Sequence, residues 1–149
     1  SAVLSYYAYQ YQVEYYNSLG LLQQLFMGYP EYPLLAKEDA STGYGQIFAS
    51  TAINANNWAI DEGIISGCTY DYDDWHQRED IWNKLRNDNV YNISMIPLVL
   101  MHGAYKKGYD RNYYDYTVAQ IKKMLAVYNG DDAYGEAVYH SYVIFDKYN

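Results

Sequence analysis

The chain has 149 residues and a formal net charge of −8, and its composition is 50% hydrophobic and 19% charged. This length is typical of a single domain, and this composition is that of a globular protein and not of a disordered one. The negative charge argues against a nucleic-acid partner, because phosphates would be repelled. The one cysteine, Cys68, excludes an internal disulfide framework. We therefore predict one monomeric domain over residues 1–149, held together by its hydrophobic core.

The sequence shows neither a membrane span nor a signal peptide. No apolar run approaches the roughly 20 residues that cross a bilayer as a helix. The start, SAVLSYYAYQ, lacks the basic region and the apolar core of a secretory leader. We expect either a domain of a longer protein or a chain that is exported by another route.

Tyrosine is the unusual feature of the composition, with 22 tyrosines against three phenylalanines. Each tyrosine offers a broad apolar ring and a hydroxyl group that needs a partner or water. Such rings can line a carbohydrate groove, although half-buried packing is the more frequent role of a tyrosine.

Spacings of three and four between apolar residues predict helices along the chain. The first is a long amphipathic helix from about Ser5 to Met27, ended by Gly28 and Pro30. A short helix, PLLAKED, is predicted to follow from Pro33 to Asp39, with the proline in its first turn.

The remaining helices are placed by their capping residues and glycine stops. The most apolar of them, ISMIPLVLMHGAY, is predicted to be the buried centre of a bundle, with Pro97 near its first turn. A small hairpin around residues 66–73 is the only expected departure from an all-α domain. The predicted ranges are Ser50 or Thr51 to about Ile64, Asp73 or Asp74 through Leu85, Asn92 or Ser94 to Gly108, about Tyr116 to Tyr128, and about Tyr134 to Lys147.

Glu38 is the candidate catalytic residue in the segment KEDASTGYGQIFASTA, residues 37–52. At the end of a short apolar helix its carboxyl group can face a cleft while Leu34 and Leu35 hold its stem. A partly buried carboxyl group titrates nearer to the working pH, as a general acid for a glycosidic oxygen requires. The alternative is a surface glutamate at a helix C-terminus, where it opposes the helix dipole.

Three further groups of residues can contribute to a site. The glycines of the loop, Gly43 and Gly45, allow close backbone approach to a ligand, and Gln46 presents a neutral donor and acceptor. In NDNVYNI, residues 87–93, an aromatic residue near a loop precedes a possible helix cap. In AVYNGDDAYGEAVY, residues 126–139, a tyrosine and an asparagine end a helix and a glycine turns the chain. The residues concerned are Tyr91, Asn92, Tyr128, Asn129 and Gly130.

In this order, over about residues 34–142, these motifs resemble the lytic transglycosylase and goose-type lysozyme family. In that family a catalytic glutamate is followed by a glycine-containing segment, by Gln-Ile and by a Ser-Thr-Ala helix start. The family's Asn-Ile helix start resembles Asn92 and Ile93, and its Ala-Tyr-Asn-Ala-Gly segment resembles residues 127–130. The first motif reads here Glu38, Gly43, Gly45, Gln46, Ile47, Ser50, Thr51 and Ala52.

The chain departs from this family directly after the glutamate, where Asp39 stands in place of the usual serine. The segment between the glutamate and Gln46 is also shorter than is usual in the family. Ser41 and Thr42 are the candidates for the hydroxyl group that supports the substrate in many members.

The resemblance implies a lysozyme-like helical domain that cuts the β-1,4 bond between N-acetylmuramic acid and N-acetylglucosamine in peptidoglycan glycan strands. Glu38 would act as acid and then as base, leave a 1,6-anhydro end, and need no cofactor or metal. The implied location is extracellular, periplasmic or cell-wall-associated, including on a phage particle. The implied substrate-binding residues are Gln46, Tyr128, Asn129, Tyr91, Gly45 and Ser41.

Two alternatives stay open. An inverting, lysozyme-type muramidase needs a second carboxylate about 6.5–9.5 Å from the acid, and Asp71, Asp73 and Asp74 are its candidates, unless they form a solvated loop with a helix cap. A non-catalytic glycan-binding or structural module of a phage or secretion machine is the other alternative. An exposed and unpartnered Glu38 would favour that module.

Metal catalysis and cysteine chemistry have little support in the sequence. His76, His102 and His140 are far apart, and none belongs to a HExxH-like pair. Cys68 has no neighbouring feature that marks it as a nucleophile.

Overall fold

A computed structural model describes residues 1–148 and confirms an all-α fold for them. The described part contains no strand, and its only β-bridge joins Thr42 and Ile47, so the hairpin expected around residues 66–73 was wrong. A 3-10 turn, Tyr113–Asp115, precedes the sixth helix. The helices are α1 (Ala2–Ser18), α2 (Leu21–Met27), α3 (Ala49–Asp61), α4 (Trp75–Asn87), α5 (Asn89–Lys106), α6 (Val118–Asn129) and α7 (Asp132–Tyr148).

Tertiary contacts divide the chain into two compact units. The first unit contains Ser1–Ile53 and Tyr70–Asn92. The second contains Asn54–Thr69 and, among the described residues, 93–148. Within residues 1–148, every helix is too short or too polar to cross a membrane.

The predicted first helix is divided into two, α1 and α2. The chain is extended at Leu19 and Gly20, and the amide of Gln24 donates to the Tyr16 and Leu19 carbonyl groups at 3.1 and 3.2 Å. The Gln23 side chain accepts from the Gly20 N–H at 3.1 Å. These side-chain amides satisfy backbone groups that a continuous helix would have paired, so the break is stable.

The predicted helix over residues 33–39 is not formed. The segment makes one turn, in which the Ala36 N–H donates to the Pro33 carbonyl oxygen at 3.0 Å, and then runs on irregularly. Leu34 and Leu35 are 96% and 79% exposed, so they bury no apolar face. A helix this short needs such a face, because its nucleation is costly.

Helix α5 begins earlier than the sequence indicated. Its first residue is Asn89, and the Asp88 carboxylate accepts from the Tyr91 N–H at 2.9 Å. Asn92 and Ser94 therefore lie inside the helix and do not cap it. Pro97 also lies in the helix interior and not near the first turn, which costs one backbone hydrogen bond.

The core of the first unit forms where α1 and α4 pack together. Tyr7 is 1% exposed, and its ring lies 6.4 Å from that of Trp82. The indole N–H of Trp82 donates to the Ala40 carbonyl oxygen at 3.0 Å, so the core reaches the segment after α2. The buried apolar side chains of this unit are Val3, Tyr6, Tyr7, Ile47, Ala49, Ala52, Ile53, Ile81, Trp82 and Leu85.

The second unit contains the hairpin of α6 and α7. Thr117 caps α6 through the Gln120 N–H, and Gly130 ends the helix in the left-handed conformation with φ 70°. This helix end agrees with the sequence prediction. Helix α5 buries one face, including Met95, Val99 and Ala104, and not its whole surface.

We expect Gly135→Ala to destabilise this hairpin by about 2–3 kcal/mol, because inserting a methyl group into a packed site forces the backbone to move. A Cβ atom at Gly135 would lie 2.3 Å from the Lys122 carbonyl oxygen and 3.0 Å from the Ala126 nitrogen. Equilibrium urea unfolding measures the effect. Gly103→Ala is the matched control, because its Cβ would meet the Val127 side chain at 3.1 and 3.5 Å and no backbone atom nearer than the Met124 carbonyl oxygen at 3.8 Å. Equal unfolding free energies for the two variants would contradict the prediction.

Candidate functional site

Glu38 lies in the first unit, in the irregular segment between α2 and α3. Its side chain is exposed, and within residues 1–148 its carboxylate makes no hydrogen bond or ion pair. The predictions that it ends a helix and is held by Leu34 and Leu35 were wrong. Its backbone is anchored instead, because the buried Tyr7 donates a hydrogen bond from its hydroxyl to the Glu38 carbonyl oxygen at 3.4 Å.

Asp39, which replaces the usual serine of the resembled family, caps helix α3. Its two carboxylate oxygens accept from the N–H groups of Ala49 and Ser50 at 3.0 and 2.8 Å. A carboxylate at a helix N-terminus is stabilised by the helix dipole. Ser50 and the next residue, Thr51, were predicted as caps but lie inside the helix. The departure from the family pattern therefore has a structural role in this chain.

The loop of residues 42–47 is held by the side chain of Asn92. This amide is fully buried, accepts from the Gly45 N–H at 2.7 Å, and donates to the Thr42 and Leu85 carbonyl oxygens at 3.1 and 2.9 Å. The bridge between Thr42 and Ile47 closes the loop. Asn92 is thus a buried clamp between α4, α5 and the loop, and not the predicted helix cap.

Gln46 and Ser41 meet in this loop. Gln46 has φ 48°, a left-handed conformation that is uncommon for a residue other than glycine. Its amide donates to the Gly43 carbonyl oxygen at 2.7 Å, and its side-chain oxygen accepts from the Ser41 hydroxyl at 3.4 Å. The loop thus satisfies part of the hydrogen-bonding capacity of Gln46 internally, while its side chain stays exposed. Strained conformations of this kind cluster at functional sites.

A buried arginine belongs to the same unit. Arg78 of α4 is 4% exposed, and it donates to the Tyr72 carbonyl oxygen and to the Tyr6 hydroxyl, both at 2.8 Å. Its guanidinium carbon lies 4.7 Å from the centre of the Tyr72 ring and 5.5 Å from that of Tyr6. Its Nε–H group is buried without a partner. Among the described residues no carboxylate lies within 4.0 Å of it.

The pKa of Arg78 reports its electrostatic surroundings. Burial acts to lower it, but Tyr6, Tyr72, Tyr7 and Glu38 together raise it above its ordinary value. The three tyrosines are neutral phenols at neutral pH, because burial raises the pKa of each of them. Glu38 is the one carboxyl group among these four.

The acidic loop before α4 has structural roles. Asp74 caps α4 by accepting from the His76 N–H at 3.0 Å, and it also accepts from the Gln77 amide at 2.8 Å, which lowers its pKa. Asp71 accepts from the Asp73 N–H at 2.9 Å, and both are exposed. The loop thus matches the expected solvated turn with a helix cap.

Tyr91 also belongs to the first unit, at the start of α5. Its hydroxyl is buried, and burial together with Tyr70 raises its pKa to about 12. Such a hydroxyl stays protonated across the physiological range. It donates or accepts a hydrogen bond but does not transfer a proton there.

Tyr128 and Asn129 lie in the second unit, at the end of α6. Tyr128 is half-buried, stacks on Tyr134 with ring centres 6.5 Å apart, and has a pKa raised to about 12 by burial and by Tyr134. Asn129 is exposed. A surface pocket of about 550 Å³ borders this turn and is lined in part by Val127 and Gly130.

Arg78 was missed by the sequence reasoning, although one signal marked it. Arg78, Ile81, Trp82 and Leu85 recur at spacings of three and four, so the arginine occupies the buried face of α4. A charged residue on such a face is expected to have a function or a partner. In residues 1–148 no group of three histidine, cysteine or acidic side chains is placed to hold a metal ion.

Comparison of the chain with protein-family models, with curated proteins and with solved structures finds no match. The function of the chain is therefore inferred from its own motifs and contacts.

Proposed function

We propose that this protein cleaves the glycan strands of peptidoglycan, with Glu38 as the acid and then the base. The observation that carries the proposal is the anchored backbone of Glu38, within the segment whose motifs resemble the catalytic segment of the lytic transglycosylase and goose-type lysozyme family. Tyr7 holds the Glu38 carbonyl group, and Asp39, the next residue, is bound to the start of α3. The carboxylate itself is exposed, so it can reach a bound sugar.

The neighbouring loop supports the same proposal. The Asn92 clamp fixes the shape of the loop before any ligand binds. Its glycines serve this packing and not the predicted approach of a ligand, because Gly43 lies against Asn92 and Leu85, and Gly45 is buried with its N–H bound to Asn92. Gln46 is exposed on this loop, with an amide that can exchange its internal hydrogen bonds for bonds to a sugar. Glu38 and this loop also follow one another along the chain as the catalytic glutamate, the glycine-containing segment and Gln-Ile do in the resembled family.

In the proposed reaction, protonated Glu38 gives its proton to the oxygen that links N-acetylmuramic acid to N-acetylglucosamine. The C1–O4 bond breaks, and its electron pair goes to that oxygen. The carboxylate of Glu38 then takes the proton of the muramic 6-hydroxyl while O6 bonds to C1, which leaves a 1,6-anhydro end. One carboxyl group is enough, because it ends protonated as it began.

This outcome is preferred to hydrolysis by an inverting lysozyme, which needs a second carboxylate to activate water. In the acidic loop before α4, Asp74 caps the helix and Asp71 stabilises a turn, so neither carboxylate is free to activate water. Asp73 is the remaining candidate of the three, and it is exposed.

A non-catalytic module that grips glycan is the second candidate, and the exposure of Glu38 favours it. An acid that works by partial burial would be less exposed than Glu38 is here. Among the described residues no group binds the carboxylate of Glu38, and a surface glutamate without a catalytic role would show the same. The two functions differ in whether soluble sugar fragments appear.

We expect Glu38→Gln to abolish the release of soluble muropeptides from purified peptidoglycan, with at least a 100-fold loss of rate, because the amide cannot transfer the proton. Glu31→Gln is the matched control, since Glu31 is also exposed and lies in the same irregular segment. It should keep the wild-type rate. Release by Glu38→Gln at the wild-type rate would exclude Glu38 as the acid. Binding to insoluble peptidoglycan without release by the wild type would favour the glycan-binding module.

A further inference from the structure

Helix α2 is the one helix of the first unit that buries none of its residues. Its three leucines are each 72% exposed, and Phe26 is 91% exposed. Residues four apart lie on the same side of a helix, so these four side chains share one face. The surface that they begin, called the α2 face below, consists of Leu21, Leu22, Leu25, Phe26, Met27 and Tyr29, all more than half exposed.

The helix that carries this face is firmly attached to the end of α1. The Gln24 amide donates to the carbonyl groups of Tyr16 and Leu19 at 3.1 and 3.2 Å. Just beyond α2, the Tyr29 ring meets the Tyr16 ring edge-on, with ring centres 5.2 Å apart. A helix of seven residues has little stability of its own, and this one buries no apolar side chain within its unit. A second surface that covers the α2 face would supply the missing burial.

The stretch of chain that contains α2 carries no charge. Residues 15–30 include no acidic and no basic residue, although the whole chain has 18 acidic residues and a net charge of −8. Two acidic copies repel each other wherever their carboxylates meet, and an uncharged face avoids that contact. This stretch is therefore suited to contact with another acidic molecule.

The area of the α2 face is close to what a stable dimer needs. Full burial of one large apolar side chain removes about 100 Å² of apolar surface from water. The six side chains together offer on the order of 600 Å², and each partner of a stable interface buries about 800 Å². Monomeric proteins rarely expose a contiguous apolar patch of more than a few hundred Å².

We propose that the α2 face binds the α2 face of a second copy of this chain, so that the protein is a dimer and not the predicted monomer. The same surface meets itself across a two-fold axis, as in most homodimers. The area lies at the lower end of the range for specific interfaces, so we expect a dissociation constant in the micromolar range. The dimer is independent of the proposed function, because no residue of the α2 face is assigned to glycan cleavage.

A lipid surface and a glycan strand fit the α2 face less well than a second copy does. Helices that lie in a membrane interface carry lysine and arginine on their polar side, whereas Lys37 is the only such residue in residues 1–77. The net charge of −8 would also be repelled by anionic headgroups. Leucine side chains offer no hydrogen bonds to the hydroxyl groups of a glycan.

Sedimentation equilibrium of the full chain, from micromolar to millimolar concentration, tests the dimer. We expect the mass of the wild type to approach twice the 17.4 kDa of one chain. Leu25→Glu brings the carboxylates of two copies together and should raise the dissociation constant at least about 100-fold. Phe26→Gln adds no charge and should raise it at least about tenfold, because a large apolar contact is lost. Leu34→Glu is the matched control, since Leu34 is an exposed leucine of the same unit outside α2, and it should keep the wild-type value.

Three results would overturn the inference. The first is a wild type that stays monomeric at millimolar concentration, and cosedimentation of that monomer with phosphatidylcholine vesicles would identify a lipid surface as the occupant of the α2 face. The second is a dimer that Leu25→Glu and Phe26→Gln do not weaken, because its interface would then lie elsewhere. The third is an equal weakening by Leu34→Glu, because added charge and not the α2 face would then be responsible. Circular dichroism shows whether each variant keeps its helices, and Phe26→Gln alone decides if Leu25→Glu does not fold.

Discussion

Replacing Asn92 by leucine is expected to lower the free energy of unfolding by about 3–5 kcal/mol. The amide of Asn92 pairs with the Gly45 N–H and with the carbonyl groups of Thr42 and Leu85, and its side chain is fully buried. Leucine has nearly the same volume but removes all three hydrogen bonds, although the Thr42 carbonyl oxygen keeps the one from the Ile47 N–H at 3.1 Å. Each buried group left unpaired costs about 1–3 kcal/mol.

Urea unfolding monitored by tryptophan fluorescence measures this effect. Asn54→Leu is the matched control, because Asn54 is an exposed asparagine within α3 and its replacement should change stability by less than about 0.5 kcal/mol. Asn92→Asp should be nearly as harmful as Asn92→Leu, since a carboxylate accepts from Gly45 but cannot donate to the carbonyl groups. A stable Asn92→Leu variant would show that the loop of residues 42–47 does not depend on the clamp.

Gly43→Ala is expected to cost at least about 3 kcal/mol, for two separate reasons. Gly43 has φ 70°, a conformation that costs other residues about 1–2 kcal/mol. A Cβ atom there would also lie 2.1 Å from the Asn92 Nδ2 atom and 2.4 Å from the Leu85 carbonyl oxygen. Neither neighbour can move freely, because the clamp bonds them to each other at 2.9 Å.

Gly130→Ala separates these two contributions. Gly130 has φ 70° and ψ 18°, in the left-handed region, and a Cβ atom there would meet nothing within 4 Å. We expect Gly130→Ala to cost only the conformational strain, about 1–2 kcal/mol. The difference between the two variants in urea unfolding then measures the crowding against Asn92 and Leu85. An equal cost at both positions would mean that the loop relaxes away from the clamp.

The fold class was predictable because apolar spacing is a local property. The ends of α4 and α6 followed from Asp74 and Gly130, whose capping acts within a few residues of the chain. The segment over residues 33–39 was not predictable in the same way. Its leucines have helical spacing, but a helix of that length depends on burial elsewhere, and Leu34 is 96% exposed.

The sequence identified several residues of the candidate site, but it did not predict the hydrogen bonds that these residues make. The loop glycines and Gln46 were identified, yet Asn92 was interpreted as a helix cap. Its amide bonds to Gly45, 47 positions away in the sequence, and no local pattern distinguishes that use from capping. The role of Asp39 was hidden for the same reason, since the N–H groups that it caps lie ten and eleven residues further on.

Burial of Glu38 was the expectation that mattered most, and the structure differs from it. The glutamate is exposed because the leucines meant to hold its stem are themselves exposed, while Tyr7 and Asp39 anchor the backbone. A free carboxylate on a fixed backbone is compatible with catalysis and with simple exposure to solvent. The products of peptidoglycan digestion therefore decide whether Glu38 is catalytic or simply exposed.

The most direct measurement is mass spectrometry of the sugar ends after digestion of purified peptidoglycan with the wild type and with Glu38→Gln. The proposed function predicts 1,6-anhydromuramic ends from the wild type and none from the variant. Reducing ends that depend on Glu38 would contradict the single-carboxylate mechanism and turn the search to Asp73 or another second carboxylate. Intact glycan strands after treatment with the wild type would contradict cleavage altogether and support a module that only binds them.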